Sequence, residues 1–322
     1  MKRLLGRSGV EVSALGMGCW AIGGPHARQG SPVGWGQVND DESIRALKRA
    51  FELGVNFYDT ADVYGCGHSE DLIATALSDK RDQIVIATKA GYTYDEATRE
   101  APGTNGDPDY IRWCCDQSLR RLKTDYIDLY QFHLGGYDLA KAPEVLAVFE
   151  ELVTQGKVRY IGWSTDDPPR VELFAQSPHC VAIQQGFNLF GGNQETLALC
   201  EKYNLASILR GPLAMGMLTG KFTPDTKLPE DDIRHGWNFK EGGQADAMKK
   251  VESIRDVLTS GGRTVAQGAL AWLWARSPVM IPIPGFKTVQ QAEENIGAMQ
   301  FGPLTVEQMR QIDDILGRPH TV

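Results

Sequence analysis

The feature that most narrows the fold is a rhythm of short apolar runs alternating with amphipathic stretches along nearly the whole chain. The runs fall at 14–19, 55–59, 83–89, 126–132, 157–163, 180–185, 205–210 and 279–283. They are rich in β-branched residues and continuous rather than alternating, as strands covered on both faces should be. The stretches between them carry helix start signals. Asp40-Asp41-Glu42-Ser43 precedes a stripe of Ile44, Leu47, Ala50 and Phe51, and His68-Ser69-Glu70-Asp71 precedes LIATAL. Pro108 and Pro143 stand at first helical turns, and Gly156 closes the segment that Pro143 opens. Further helices are expected near 168–176, 193–203, 264–276 and 288–299. Eight strand–helix units in series predict an α/β chain folded as a (β/α)8 TIM barrel, with residues 1–322 forming a single domain. A doubly wound sheet would need GxGxxG after the first strand, and GMGCWAIGG spaces its glycines wrongly, so no Rossmann domain is expected. The leading KRLLGRSGVEVS reads as a β-hairpin turning at Arg7-Ser8-Gly9, placed to plug the lower end of the barrel.

Charge and cysteine usage exclude several roles. A net charge of −8 argues against nucleic acid, whose phosphates require basic patches. MKRLLGRSGVEVSALG breaks its apolar run too early for a signal peptide or a spanning helix, and no basic amphipathic stretch suggests a membrane surface. Cys19, Cys66, Cys114, Cys115, Cys180 and Cys200 form no CxxC, and the histidines form no HExxH. The expectation is a reduced, cytoplasmic protein without a metal site.

The strand tips are informative, because a TIM barrel builds its active site at the C-terminal ends of its strands. Strand two ends in Asp59, strand three in Lys89, strand four in His133 and strand five in Ser164, while strand six carries Gln184 near its end. Any one of these alone reads as an ordinary solvated strand end. Their convergence at one mouth says more. Lysine and aspartate from adjacent strands neutralise each other. Tyr64, on the loop just beyond Asp59, can then reach the lysine, whose charge favours phenolate and lowers the pKa of the phenol. Such a tyrosine is a usable general acid.

Asp59, Tyr64, Lys89 and His133, in this order and context, resemble the aldo-keto reductase superfamily. GVNFYDTADVYG, YIDLYQFH, VRYIGWS, GPLAMGMLTGKF and IPIPGFKTVQQAEENIGA are all similar to its blocks, over about residues 3 to 300. The resemblance implies a barrel that binds NADPH or NADP+ extended across its mouth. It implies that Tyr64 protonates a carbonyl oxygen while the nicotinamide delivers hydride, that Lys89 lowers the Tyr64 pKa, that Asp59 holds Lys89, and that His133 orients the carbonyl. Ser164 and Gln184 match positions that hold the nicotinamide amide, although Thr165 stands where the family often has asparagine. Leu213, Gly216 and Lys221 match a loop around the pyrophosphate. Lys287, Gln291, Glu294 and Asn295 match the adenosine end, with Lys287 meeting the 2′-phosphate where many relatives use arginine. Arg210 replaces the tyrosine or tryptophan that commonly stacks on the nicotinamide. It is expected either to stack there and favour NADPH over NADP+, or to turn toward a loop carboxylate.

Long segments after strands one, three and seven carry aromatic residues, and Trp20, Tyr92 and Trp237 are the expected substrate-pocket residues. The partner implied is a small-molecule carbonyl or alcohol substrate. The expected reaction is NADPH-dependent reduction of aldehydes or ketones. Its reverse, as an alcohol or sugar dehydrogenase, and a nucleotide-binding regulatory subunit without turnover are the alternatives. No dominant apolar outer patch marks an interface, which leaves both a monomer and a homo-oligomer open.

Overall fold

In the computed structural model, which describes residues 1–320, eight parallel strands form the barrel. They are Met17–Gly18, Phe57–Asp59, Val85–Ala90, Ile127–Phe132, Val158–Ser164, Cys180–Asn188, Ala206–Arg210 and Met280–Pro282, taken below as barrel strands one to eight. Each pairs in parallel with its neighbours in sequence order. The ring closes between strands one and eight, where Gly16 N–H donates to Pro282 O at 3.0 Å and Gly18 N–H to Pro284 O at 3.1 Å. Glycine is required at this seam, since a Cβ on Gly18 would lie 2.4 Å from Ile283 O.

The helices Asp40–Glu52, His68–Leu77, Pro108–Leu122, Ala142–Thr154, Pro168–Ala175, Gln194–Tyr203, Val265–Arg276 and Val289–Gly297 follow strands one to eight in turn. Their starts have chemical causes. Asn39 caps the first by accepting from Glu42 N, Asp107 with Pro108 starts the third, and Thr264 with Gln267 forms a capping box. Two extra helices, Gly243–Ser253 and Arg255–Thr259, lie between strand seven and its covering helix, and Val306–Ile315 trails the barrel.

Apolar residues form two layers. Phe57, Val85, Ala87, Leu129, Ala182, Ile208 and Ile281 fill the inside of the ring together with Leu5 and Val12, and a larger cluster lies between strands and helices. Leu5 and Val12 are delivered by the hairpin Lys2–Leu4 and Glu11–Ser13, so the hairpin does plug the lower end. Strands three and four are buried along their whole length on both faces, which is why their sequences do not alternate.

The segments after strands one and three, expected to be irregular, instead form a small sheet. Its strands run in the spatial order Ser31–Pro32, Ala27–Arg28, Glu100–Thr104 and Tyr92–Asp95. These strands are short and polar, and their partners are far apart in sequence, so no periodicity announces them. Ala101, Tyr92 and Tyr94 of this sheet pack on Ala61, Val63 and Tyr64, which places the sheet beside the barrel mouth. Among the described residues, no helix is long and apolar enough to cross a membrane.

Candidate active site

The site grows out of the inward-facing row of each strand, because alternate residues of a strand share a face. Phe57 inside the barrel leads to Asp59 at the tip of strand two. Val85 and Ala87 lead to Lys89, Leu129 to Gln131 and then His133, Ala182 to Gln184, and Ile208 to Arg210. The polar residues are thus the upward continuation of the apolar interior, and register sets them side by side. Lys89 lies across from Gln131, and Ser164 from Gln184.

Lys89 is fully buried, which a lysine tolerates only with partners. Its Nζ donates to Asp59 Oδ1 at 2.6 Å, to Thr60 O at 2.7 Å and to Tyr64 Oη at 3.2 Å. The other carboxylate oxygen, Asp59 Oδ2, accepts from Gln184 Nε2 at 2.7 Å and Gln131 Nε2 at 3.1 Å. A carboxylate only accepts, so it draws the NH2 end of both amides. Three strands thereby fix the carboxylate, and the carboxylate fixes the ammonium. Tyr64 is held from behind by a close backbone contact: a Cβ on Gly65 would lie 1.9 Å from Gly23 O, so only glycine admits it. The Tyr64 ring stacks on Trp20, with centroids 6.0 Å apart, and meets His133 edge-on at 5.8 Å.

The electrostatics depart from expectation at one point. Lys89 was expected to lower the Tyr64 pKa, yet the net shift is upward. Burial of the phenol is the largest effect. The Lys89 ammonium pulls the other way, and Asp59 offsets part of that pull. Lys89 itself is penalised by burial, but Asp59 and the Tyr64 oxygen together outweigh this and raise its pKa. Burial, Lys89, Arg210 and Arg28 all push the His133 imidazole well below its ordinary value, so it is neutral. His133 Nδ1 is buried without a partner. A stranded acceptor is better tolerated than a stranded N–H, so the proton belongs on Nε2.

A cleft of about 300 Å³ runs from this cluster across the mouth. It is lined at one end by Trp20, Asp59, Tyr64 and Gln184 and at the other by Lys221, Arg234, Lys287, Gln291, Glu294 and Asn295. Leu213 and Gly216 border its middle, where Ala214 at φ 47° and Met215 at φ 53° join Gly216 at φ 97° in left-handed backbone. Two non-glycine residues in that region cost of order 1–2 kcal/mol each, and the turn is closed by its own backbone, Ala214 N–H donating to Gly211 O and Gly216 N–H to Leu213 O at 2.9 Å each. Gln291 and Asn295 hold the 285–287 loop, with Gln291 Oε1 accepting from Lys287 N and Asn295 Nδ2 donating to Gly285 O. Lys287 Nζ donates to Trp35 O, and burial lowers its pKa.

Several expected residues take other duties. Gln184 gives its NH2 to Asp59, which leaves only its carbonyl oxygen for a ligand. Ser164 is buried beside it, while Thr165 Oγ1 donates to Gly135 O and is built into the loop. Arg210 borders the cleft but pairs with Asp166, the loop carboxylate that also accepts from Gly186 N. Both partners are 46% exposed. Arg210→Tyr is therefore expected to cost no more than about 1 kcal/mol of stability and to leave the ratio of NADPH to NADP+ affinity within about twofold. Thermal melts and titrations of both nucleotides check this. Trp237 does not line the cleft; it packs against Phe222 and Phe239, and Phe222 in turn lies against Arg234 of the cleft wall. Trp20 and Tyr92 are at the site, Tyr92 meeting His133 edge-on at 4.9 Å.

Gln131, Arg234 and Arg28 are site residues that were not singled out from the sequence, while Trp35 is one of the loop aromatics that were. Arg234 chelates Asp232 through two nitrogens, donates to Met215 O and stacks on Trp35 at 4.4 Å, clasping the segments after strands one and seven over the cleft. No sequence signal marks that pairing. Gln131 had one: a glutamine inside an otherwise apolar inward row needs a partner. All six cysteines are free and buried, and no group of three metal-ligating side chains occurs among the described residues.

The aldo/keto reductase family model matches residues 14–316. The uncharacterized oxidoreductase YqkF of Bacillus subtilis is 33% identical over 317 residues, covering 97% of this chain and 95% of its own. The aldo-keto reductase yakc [NADP(+)] of Schizosaccharomyces pombe is 31% identical, covering 94% of this chain and 89% of its own. The solved structure of the glycerol dehydrogenase AKR11B4 from Gluconobacter oxydans superposes with a TM-score of 0.85 at 30% identity, over 98% of this chain and 95% of that one.

Proposed function

The chain belongs to the aldo/keto reductase family and is an oxidoreductase, and from that premise we propose that it uses NADPH to reduce aldehydes or ketones with Tyr64 as proton donor. The observation that carries the reading is the Asp59–Lys89–Tyr64 chain of hydrogen bonds, with neutral His133 beside it. The cleft fits the cofactor. It runs from Tyr64 to Lys287, and Lys221 and Lys287 place two cations along it, Lys221 for the pyrophosphate and Lys287 for the 2′-phosphate, beside an Arg234 already paired with Asp232. Bound NADPH supplies the hydride, and the chain does the rest. Tyr64, kept protonated by its raised pKa, offers its proton to the substrate oxygen. Lys89 stabilises the phenolate left behind, and Asp59 keeps Lys89 charged and in place. His133 Nε2–H donates to the same oxygen and fixes its direction. By microscopic reversibility the same groups oxidise an alcohol, and the dehydrogenase name of one structural relative keeps that direction in view.

The test is NADPH consumption with a panel of aldehydes, ketones and keto-sugars. Turnover supports the reading, whereas tight NADPH binding with no turnover in either direction would favour a regulatory subunit. The Lys287 assignment has its own test. Lys287→Ala is expected to weaken NADPH about tenfold while leaving NADH unchanged, as loss of one charge-assisted phosphate contact requires. Equal dissociation constants for NADPH and NADH in the unaltered enzyme would sink the preference for NADPH.

A further inference from the structure

Arg28 is a cation beside the Tyr92–His133 pair that the chemistry above does not use. It lies on the strand Ala27–Arg28 of the small sheet, and its guanidinium stacks over the Tyr92 ring at 4.3 Å from the centroid. Tyr92 in turn meets His133, which meets Tyr64, so Arg28 is one ring away from the carbonyl-orienting histidine. Its field reaches His133 together with those of Lys89 and Arg210. The other two cations are answered, Lys89 by Asp59 and Arg210 by Asp166. Arg28 has no carboxylate partner among the described residues, and its Nε is buried without a hydrogen bond. A stacked guanidinium engages the aromatic ring with its face and keeps its in-plane N–H groups free for an anion. In a chain of net charge −8, an unanswered arginine held by an aromatic ring beside the reacting centre is a placed charge rather than part of a general basic surface.

We propose that Arg28 sets substrate choice by binding an anionic group, so that the preferred substrates are small aldehydes or ketones bearing a carboxylate or phosphate a few bonds from the carbonyl. This rests on the reductase reading of the site. Trp20, Trp35 and Tyr92 supply the aromatic walls for the body of such a molecule, and Arg28 supplies the selectivity. The position suits recognition rather than chemistry, since Arg28 reaches Tyr64 only through two intervening rings.

The experiment compares 4-carboxybenzaldehyde with benzaldehyde, and glyceraldehyde 3-phosphate with glyceraldehyde, in the full-length enzyme, in Arg28→Met and in Arg28→Lys. In at least one pair, Arg28→Met is expected to lower the charged-over-uncharged ratio of kcat/KM about tenfold, mainly through KM, because a hydrogen bond to a charged group is lost. Arg28→Lys should keep part of the ratio, and added salt should erode it in the unaltered enzyme. The pair that responds tells carboxylate from phosphate. A ratio that Arg28→Met leaves unchanged in both pairs, or an equal loss on charged and uncharged members, overturns the proposal. If the unaltered enzyme reduces the uncharged aldehydes, the reductase reading survives that failure. If it reduces nothing, that reading fails and calorimetry decides this one. Binding of 4-(hydroxymethyl)benzoate that weakens about tenfold in Arg28→Met supports the anion site, and binding equal in the two proteins ends it.

Discussion

Tyr64→Phe is expected to lower kcat for carbonyl reduction by about 10²–10⁴-fold, the range a positioned general acid supplies. NADPH affinity should stay within about twofold, since the lost hydroxyl costs Lys89 one of three acceptors and leaves Asp59 and Thr60 O in place. The unaltered enzyme carries a matching pH signature. An acid catalyst works only while protonated, and burial holds the Tyr64 pKa above the ordinary phenol value despite Lys89. Reduction should therefore be insensitive to ionisation of Tyr64 through neutral and mildly alkaline pH, and fall only as pH rises through that raised pKa. The oxidative direction should show the mirror image and improve as pH rises, because there Tyr64 must accept a proton. Pre-steady-state rates with saturating nucleotide, measured in both directions across pH, separate this from effects on product release. Turnover retained in Tyr64→Phe would hand the proton to His133 or to water and would leave the hydrogen-bonded chain as scaffolding.

Much of this arrangement was legible in the sequence, for a physical reason. Parallel barrel strands are buried on both faces, so a polar residue ending an apolar run stands out, and the topology guarantees that all such ends meet at one mouth. Asp59, Lys89 and His133 were readable in that way, and Tyr64 by its distance from Asp59. What stayed hidden depends on contacts between distant segments. The sheet joining Ala27–Arg28 to Glu100–Thr104 is made of short polar strands with no period of their own, and it is what carries Arg28 to Tyr92. The clasp of Trp35 with Arg234 is likewise set by a bridge between Trp35 and Asp232, not by either segment alone. Trp237 sits on Phe222 and Phe239 behind the cleft wall, since a loop tryptophan is equally at home in a pocket or in such a cluster and sequence does not show the path of the loop. The net Tyr64 pKa stayed hidden for a related reason, although Lys89 does pull it down as expected. Sequence reveals a neighbouring charge but not the degree of burial, and here burial is the larger effect.

Lys89→Met should show the price of building catalysis on a buried ion pair. Methionine fills similar volume, so packing is largely kept, but Asp59 is left with a buried carboxylate and only the Gln131 and Gln184 amides for company. Removing one partner of a buried pair costs about 3–5 kcal/mol, and urea unfolding should show a loss of that size. The pH window can be stated. Lysine's folded pKa is raised above its ordinary 10.5, so the ammonium's contribution is complete below that value and is lost only as pH rises through the raised one. The full difference between the two proteins should thus be present at neutral pH. Adding Asp59→Asn to Lys89→Met removes the stranded charge, and the double variant should recover most of the lost stability, since replacing both members of a buried pair is often close to neutral. Activity should not follow. With neither the ammonium to stabilise the Tyr64 phenolate nor the carboxylate to hold it, the double variant should remain as slow as Lys89→Met. That split, stability restored and turnover not, would show that the pair is kept for its effect on Tyr64 rather than for the fold. Recovery of both would show that Lys89 acts on turnover only by sparing Asp59 an unpaired charge.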